Sequence, residues 1–204
     1  MVNRCKLVAL DLDGTLIAGN SLHVYIRCGL AQLIRTANII SALKVVALVV
    51  LRFVRIISHR RMKFGALAII PQTDALRQVF TTKIKTMRRP EVEMLIKTFR
   101  ENGCEVLLAT AAADSYVSWI WADRSIATPM QNNPARLEMR GERKRDAVLQ
   151  YASQHDFTLY AVITDHADDL ALLNAGAQQN ILVHPTAETI AAANFAGIPN
   201  LRII

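Results

Sequence analysis

The stretch that decides the fold is Cys5–Thr15, with the sequence Cys-Lys-Leu-Val-Ala-Leu-Asp-Leu-Asp-Gly-Thr. Its largely apolar first half predicts a buried parallel strand. Asp11 and Asp13 follow at once, and they lie on the same side of the strand because side chains alternate along it. Gly14 permits a tight turn, and Thr15 adds a hydroxyl group. A buried strand that ends in such a polar turn predicts a ligand site at the carboxyl edge of a parallel sheet.

The remainder of the chain alternates apolar runs with segments of helical spacing. After a mostly helical stretch at 16–89, strands are expected at Glu105–Ala109, within Ser125–Gly141, and at Thr158–Ile163, Ile181–His184 and Leu201–Ile204. Helices are expected from Pro90 to Gly103 and at Ser115–Ala122, Arg143–Gln154, Leu170–Ala175 and Thr186–Ala193. This alternation predicts an α/β fold with a doubly wound parallel sheet. We expect residues 1–16 and 90–204 to form the core and residues 17–89 to form an inserted helical segment.

Charge is concentrated in the insertion. The sequence carries a formal net charge of +7, and residues 14–73 contain no Asp or Glu. The basic residues of that segment are Arg27, Arg35, Lys44, Arg52, Arg55, Arg60, Arg61 and Lys63. A partner that is attracted by the excess positive charge is therefore expected to bind at the insertion.

Polar residues also follow the later strands. Thr110 ends the second strand, and the small residues of 111–113 are expected to leave open backbone amides at a helix start, which suits an anion. Lys144 supplies a positive charge. Asp165 ends another strand, with Asp168 and Asp169 close behind. Each of these features alone also fits a helix cap or a solvated surface, but their joint placement at strand ends suits a hard cation with a phosphate group.

These motifs resemble those of the haloacid dehalogenase (HAD) superfamily. The run from Leu7 to Thr15 resembles its first motif, and Val-Leu-Leu-Ala-Thr110 resembles its second. Lys144 lies where the lysine of the third motif belongs, and Val-Ile-Thr-Asp165-His-Ala-Asp-Asp169 resembles the fourth. The similarity covers the core and implies a Rossmann-like core with a helical cap, here at 17–89, between the first two motifs.

The resemblance implies a magnesium-dependent phosphatase. Asp11 would attack phosphorus and become an aspartyl-phosphate, while Asp13 would protonate the leaving oxygen and then activate water. Thr110 and Lys144 would hold the phosphoryl oxygens. The Mg²⁺ ligands would be Asp11, Asp165 and the backbone carbonyl of Asp13, with Asp169 orienting either metal-bound water or Lys144. Phosphoryl transfer depends mainly on such positioning and charge neutralisation.

The fourth motif departs from the family pattern in two places. Thr164 stands where glycine is usual, and His166 replaces a common small residue. A β-branched threonine in place of glycine could alter the loop that sets the metal. Asp168 next to Asp169 also leaves two candidates for the second acid, of which we favour Asp169.

The centre of the insertion, Ile39–His59, is predicted to be one amphipathic helix with a wide apolar face. At about 100° per residue its polar side chains fall on a narrow stripe, formed by Ser41, Lys44, Arg52, Arg55 and His59. The uncharged run Val45–Leu51 is far shorter than the ~20 residues of a membrane-spanning helix. The helix is therefore expected to lie at an anionic membrane surface; packing within the cap or in a dimer is the alternative.

The narrower resemblance is to HAD phosphatases that act on membrane lipid phosphates, such as phosphatidylglycerophosphate or polyprenyl-linked phosphates. It rests on the apolar and basic character of the insertion, including the cluster from Arg60 to Lys63. The alternatives are a soluble phosphatase of the phosphoserine phosphatase type and an inactive membrane-associated binding protein. His23, just inside the cap, could contact the substrate or face water.

The sequence also gives expectations about location and partners. Its three cysteines form no CxxC pair, which favours a reducing compartment. The apolar run at the N-terminus is too short for a signal peptide, so we expect a cytoplasmic protein, peripheral on the inner face of the cytoplasmic membrane. No nucleic-acid partner is expected, because the acid-free segment has few aromatic residues and no recognised binding module. The sequence leaves the oligomeric state open.

Overall fold

The computed structural model describes residues 5–204; the first four residues of the predicted core segment lie outside this range. The strands are β1 Cys5–Leu10, β2 Cys104–Ala113, β3 Ser125–Thr128, β4 Phe157–Thr164, β5 Gln179–Leu182 and β6 Leu201–Ile203. They pair in parallel in the order β3-β2-β1-β4-β5-β6. This order reverses direction at β1, which confirms the predicted doubly wound sheet and places the switch point beside Asp11.

Helices cover the sheet and build the insertion. Those of the insertion are α1 Ser21–Arg35, α2 Ile39–Phe53, α3 His59–Ile69 and α4 Asp74–Lys85. The others are α5 Pro90–Glu101, α6 Asp114–Ile120, α7 Glu142–Gln154, α8 Leu170–Leu173 and α9 Ala187–Phe195, with a short 3₁₀ turn at Ala167–Asp169 before α8.

Each insertion helix begins at a polar side chain that accepts a hydrogen bond from the first turn. The capping residues are Asn20, Asn38, Ser58 and Thr73. Such caps stabilise a helix start by about 1 kcal/mol each. They explain why an uninterrupted apolar and basic sequence divides into separate helices.

The prediction of one helix at Ile39–His59 is wrong. The helix ends at Phe53, because Arg55 adopts a left-handed conformation with φ 62°. The N–H of Arg55 donates to the carbonyl of Arg52, and the N–H of Ile56 donates to that of Leu51. These two bonds satisfy the last carbonyls of the helix in the pattern of a Schellman motif. Arg55 and His59 therefore do not continue the polar stripe of α2.

The central strand is buried on both faces. Leu7 and Ala9 face a cluster formed with the helices α7–α9, while Val8 and Leu10 face a cluster that includes α1–α6. The insertion therefore shares a hydrophobic core with one face of the sheet. A cluster of aromatic side chains joins α1 and α4 to α6. Its members are Tyr25, Phe80, Tyr116 and Trp119, and the centroids of contacting rings are 4.9–6.1 Å apart.

The helix α2 is the exception to this packing. Only Ala42 and Val45 of this helix are buried. An apolar seam at spacings of three and four residues faces outward, formed by Ile39, Leu43, Val46, Val50 and Phe53. Phe53 is 86 % exposed and Leu43 is 63 % exposed. Packing within the cap thus leaves the widest apolar face of the helix uncovered.

Candidate active site

A cavity of about 580 Å³ opens at the carboxyl edge of the sheet, between the strand ends and the insertion. Its walls include most of the residues singled out from the sequence, namely Asp11, Asp13, Thr110, Lys144, Asp165, Asp168, Asp169, His23 and His166. The insertion adds Gly19, Asn20, Leu22, His59 and Lys63. The folded chain therefore brings the predicted polar residues to one place, beneath helices of the insertion.

Lys144 is the central cation of this cavity. Its Nζ donates to Asp11 Oδ1 and to Asp169 Oδ2, both at 2.7 Å. Only 3 % of the lysine side chain is exposed. Burial alone would lower the pKa of Lys144, but the two carboxylates raise it above its usual value. The lysine therefore stays charged and fixes the relative position of the two acids.

The acid that pairs with Lys144 is Asp169, not Asp168. Asp169 is 4 % exposed, and its Oδ2 also accepts from the hydroxyl of Thr164 at 2.6 Å. The carboxylate of Asp168 is 43 % exposed and pairs with Arg140. Thr164, the departure from the family pattern, thus holds the buried acid in place. His166 stays at the surface, where its Nδ1 accepts from the N–H of Asp168.

Asp165 lies against the turn that follows β1. Its Oδ1 accepts from the hydroxyl of Thr15 at 3.1 Å. Gly14 has φ 84°, and a Cβ atom there would lie 2.0 Å from Asp165 Oδ2. Only glycine therefore allows this approach of the backbone to the carboxylate.

Burial acts on all three central carboxyl groups. It raises the pKa of Asp11 to about 7, against the opposing effect of Lys144. It also raises the pKa of Asp13 and of Asp165, although hydrogen bonds from Ser21 and Thr15 oppose the rise. Buried negative charge with too little compensation is what a divalent cation would relieve.

Oxygen atoms suited to Mg²⁺ therefore converge here. Carboxylates and backbone carbonyls are its usual protein ligands, completed by water or substrate phosphate. Within residues 5–204 no three His, Cys, Asp or Glu side chains form a metal site by themselves. Asp11 and Asp165 would accordingly need the carbonyl oxygen of Asp13 and solvent or substrate oxygens to complete the shell.

The expected row of open amides after Thr110 is wrong. The strand β2 continues to Ala113, and α6 begins only at Asp114. The N–H of Ala112 already donates to Thr110 Oγ1 at 3.0 Å. Thr110 is buried at the cavity wall. Because its oxygen accepts this bond, its hydroxyl proton can donate to a ligand oxygen.

Sequence reasoning missed Lys63 as a site residue. It belongs to the basic cluster of the insertion, yet its Nζ donates to the carbonyl of Ala111 and to Glu138 Oε1, both at 2.6 Å. The side chain is 3 % exposed, whereas Arg60 and Arg61 are exposed. A lysine at the buried face of α3 carries no sequence signal that separates it from its basic neighbours. Ser21 and Tyr116 were also missed, because their contact joins positions 95 residues apart.

Comparison with known proteins supports this description. A family model described as haloacid dehalogenase-like hydrolase matches residues 8–174. Comparison with curated proteins gives no significant sequence match.

Solved structures show the same fold. A protein of unknown function from Bordetella pertussis Tohama I superposes with a TM-score of 0.72 at 18 % identity, covering 99 % of each chain. A probable phosphoserine phosphatase from Vibrio cholerae gives a TM-score of 0.62 at 17 % identity, over 93 % of this chain and 59 % of the other. A phosphoserine phosphatase described as a phospho-aspartyl intermediate analogue gives 0.59 at 13 % identity, over 94 % and 92 %.

The family model spans most of the chain, including the strand ends that carry Asp11, Thr110 and Asp165 and the helix α7 that carries Lys144. The predicted superfamily and the expectation of an enzyme are thereby confirmed, and this chain belongs to the haloacid dehalogenase-like hydrolase family.

Proposed function

We propose that this protein is a Mg²⁺-dependent phosphomonoesterase that acts through an aspartyl-phosphate on Asp11. The observation that carries the proposal is the buried Lys144, held between Asp11 and Asp169 at the cavity wall. A fixed cation beside a carboxylate nucleophile suits a reaction whose main demand is neutralisation of phosphoryl charge.

Each residue of the site has a role in this reaction. The Asp11 carboxylate attacks phosphorus in line and the bond from phosphorus to the leaving oxygen breaks, while Asp13 donates its proton to that oxygen. Asp13 then takes a proton from water, which attacks the aspartyl-phosphate and releases inorganic phosphate. Lys144 and the hydroxyl of Thr110 bind the phosphoryl oxygens throughout.

Mg²⁺ would be held by Asp11, Asp165 and the carbonyl oxygen of Asp13. When bound, it supplies positive charge that draws the nucleophile and the anionic substrate together. The raised pKa values of Asp11 and Asp165 agree with this assignment, since desolvation raises both and the charge of Asp169 adds to the rise at each. The absence of a side chain at Gly14 keeps the approach to Asp165 open.

The proposed substrate is a lipid-linked phosphate, reached from the inner face of the cytoplasmic membrane. The seam of α2 is exposed, and the turn after it adds Val54 and Ile56, which are 53 % and 70 % exposed. No acidic residue occurs in residues 14–73. An apolar face with basic neighbours fits an anionic bilayer surface, where each Lys or Arg contributes about 1 kcal/mol. Among residues 5–204, no helix is both long enough and apolar enough to cross a bilayer.

Chain connectivity links this surface to the cavity. His59 lines the cavity and follows Ile56 by three positions, so their Cα atoms are at most about 11 Å apart. A lipid whose tail lies beside the α2 seam could therefore present its phosphate to the cavity.

A soluble phosphatase that acts on small metabolites is the second candidate. The similarity in fold to phosphoserine phosphatases favours it. In that case the α2 seam would be covered by a second copy of the chain, since its spacing of three and four residues also suits helix pairing. An inactive binding protein is a weaker candidate, because the carboxylates of the first and fourth motifs are all present at the cavity.

Phosphate release decides between these candidates. We would measure it with Mg²⁺ for phosphatidylglycerophosphate and a polyprenyl phosphate in mixed micelles, beside phosphoserine, for the wild type and Asp11→Asn. Lipid-dependent release that the variant loses is the expected result. Phosphate release from phosphoserine alone would support phosphatase activity and reject the lipid-linked substrate. Release from none of the three would reject both the phosphatase activity and the lipid-linked substrate.

Membrane docking has its own test in vesicle flotation. We expect the wild type to float with vesicles that contain anionic lipid, and Phe53→Glu to float far less. Phe195→Glu is the matched control, because Phe195 is 96 % exposed on α9, outside the insertion. Equal flotation of all three proteins, or flotation of none, would contradict docking through α2. Sedimentation of the same variants would detect a dimer formed through the seam.

A further inference from the structure

The carboxyl group of Asp13 is held at both oxygens by a single residue. The backbone N–H of Ser21 donates to Oδ1 at 2.6 Å, and the hydroxyl of Ser21 donates to Oδ2 at 3.1 Å. Ser21 is the first residue of α1 and is fully buried. The start of the insertion therefore sets the orientation of the acid proposed to protonate the leaving group.

The hydroxyl of Ser21 has a second neighbour, the hydroxyl of Tyr116 on α6, at 3.2 Å. A serine hydroxyl carries one proton. Since that proton is used toward Asp13, Tyr116 must donate to Ser21. Burial raises the pKa of Tyr116, so its hydroxyl keeps the proton that this role requires.

Packing fixes the tyrosine. Tyr116 is fully buried, and its ring stacks on that of Tyr25 at 4.9 Å and meets the edge of Phe80 at 5.3 Å. Tyr25 and Phe80 belong to α1 and α4, whereas Tyr116 belongs to the helix that follows β2. The hydroxyl at the end of this ring therefore has little freedom of its own.

We propose that Tyr116 is a positioning residue for proton transfer, which acts through Ser21 to aim the carboxyl group of Asp13 at the leaving-group oxygen. The inference rests on the phosphomonoesterase proposed above. Tyr116 donates to Ser21, Ser21 donates to Asp13, and a change at the tyrosine reaches the chemistry only through the serine.

The role predicts a dependence on the leaving group. A positioned general acid typically contributes ~10²–10⁴-fold to the rate, and it matters most when the leaving group is a poor one. An alkyl alcohol needs the proton as the bond to phosphorus breaks, whereas p-nitrophenolate leaves readily without it. Misalignment of Asp13 should therefore slow the hydrolysis of alkyl phosphates more than that of aryl phosphates.

The test compares kcat/KM for glycerol 3-phosphate and p-nitrophenyl phosphate in the wild type and Tyr116→Phe. We expect a roughly tenfold loss on the alkyl phosphate and less than about a twofold loss on the aryl phosphate. Thermal unfolding of both proteins identifies any loss that comes from misfolding, which would lower both activities together.

Tyr25→Phe is the matched control. The Tyr25 hydroxyl is buried and has no hydrogen-bond partner within residues 5–204, although the ring stacks on Tyr116. The substitution removes a buried phenol hydroxyl from the same cluster of aromatic side chains, and that hydroxyl makes no hydrogen bond to Asp13 or Ser21. The ratio of kcat/KM for glycerol 3-phosphate to kcat/KM for p-nitrophenyl phosphate should be the same in Tyr25→Phe as in the wild type.

A double variant tests the path. Ser21→Ala should show the same selectivity as Tyr116→Phe, and adding Tyr116→Phe to it should cause no further loss, because Tyr116 acts through the serine hydroxyl. Equal losses on both substrates, an unchanged ratio, or a further loss in the double variant would overturn the role of Tyr116 and leave the phosphatase standing. A wild type inactive on these two substrates and also on phosphatidylglycerophosphate, the polyprenyl phosphate and phosphoserine would overturn the proposed function itself.

Discussion

Lys63 of α3 and Glu138, in the loop before α7, form a buried ion pair with their charged atoms 2.6 Å apart. The lysine also donates to the carbonyl of Ala111 at the end of β2. One side chain of the insertion thus ties that segment to two separate parts of the core, beside the cavity. A buried charge that loses its partner is costly, so this contact should govern how the insertion sits over the site.

Lys63→Met should lower both stability and turnover, because it leaves Glu138 buried without a cation. We expect a loss of about 3–5 kcal/mol in the free energy of unfolding, measured by urea denaturation. Lys44→Met is the control, since Lys44 is exposed on α2. Adding Glu138→Gln should recover part of the stability by removing the unpaired charge. If both lysine variants were equally stable, the pair would have no structural role.

Gly14→Ala should abolish phosphatase activity and Mg²⁺ binding. The new Cβ would lie 2.0 Å from Asp165 Oδ2, so the carboxylate must move. Gly103→Ala separates this clash from backbone strain, because Gly103 also has a positive φ but its Cβ would meet no atom within 4 Å. We expect Gly103→Ala to lose stability and keep turnover per folded molecule. Full activity in Gly14→Ala would contradict the assigned place of Asp165.

Asp11→Asn should stabilise the metal-free protein at neutral pH. Burial raises the pKa of Asp11 to about 7 from its ordinary value of 3.8. The folded state therefore holds the proton to higher pH than the unfolded state, and stability falls as pH rises between these two values. Asparagine keeps an acceptor for Lys144 and carries no charge to bury.

Thermal unfolding in EDTA at pH 5 and pH 8 measures this effect. The unfolding temperature of the wild type should be lower at pH 8 than at pH 5, and this decrease should be larger than for Asp11→Asn. Added Mg²⁺ should restore the unfolding temperature of the wild type at pH 8. The exposed residue Asp146 provides a control substitution, Asp146→Asn, which should behave like the wild type. A midpoint that rises with pH in the wild type would refute the raised pKa of Asp11.

Thr164→Ala should reduce turnover by roughly tenfold, whereas Thr164→Ser should retain most of it, since a lost hydrogen bond to a charged group costs about 1.5–3 kcal/mol. The hydroxyl of Thr164 donates to Asp169 Oδ2 at 2.6 Å, and that same oxygen binds Lys144. Serine keeps the donor, and alanine frees the carboxylate to turn. Equal kcat for the alanine and serine variants would show that the hydroxyl of Thr164 has no role in turnover.

The sequence alone determined the sheet and the acids at its edge. Alternation of apolar runs with helical spacing predicts a parallel, doubly wound sheet, and the turn after β1 marks Asp11 and Asp13. These signals are local, because a strand and the turn that follows it are encoded within about ten residues. The caps of the insertion helices, such as Asn38 and Ser58, are local as well, but they were not predicted, and one helix was expected across both Arg55 and Ser58.

Only the tertiary structure decided which buried polar groups pair. Lys63 with Glu138 and Ser21 with Tyr116 are contacts across 75 and 95 positions of the chain. Composition does not encode them, because a lysine on a basic helix has the same local sequence whether it faces water or the core. The choice follows from the cost of burying an unpaired charge or hydroxyl, which depends on what the folded chain brings within reach.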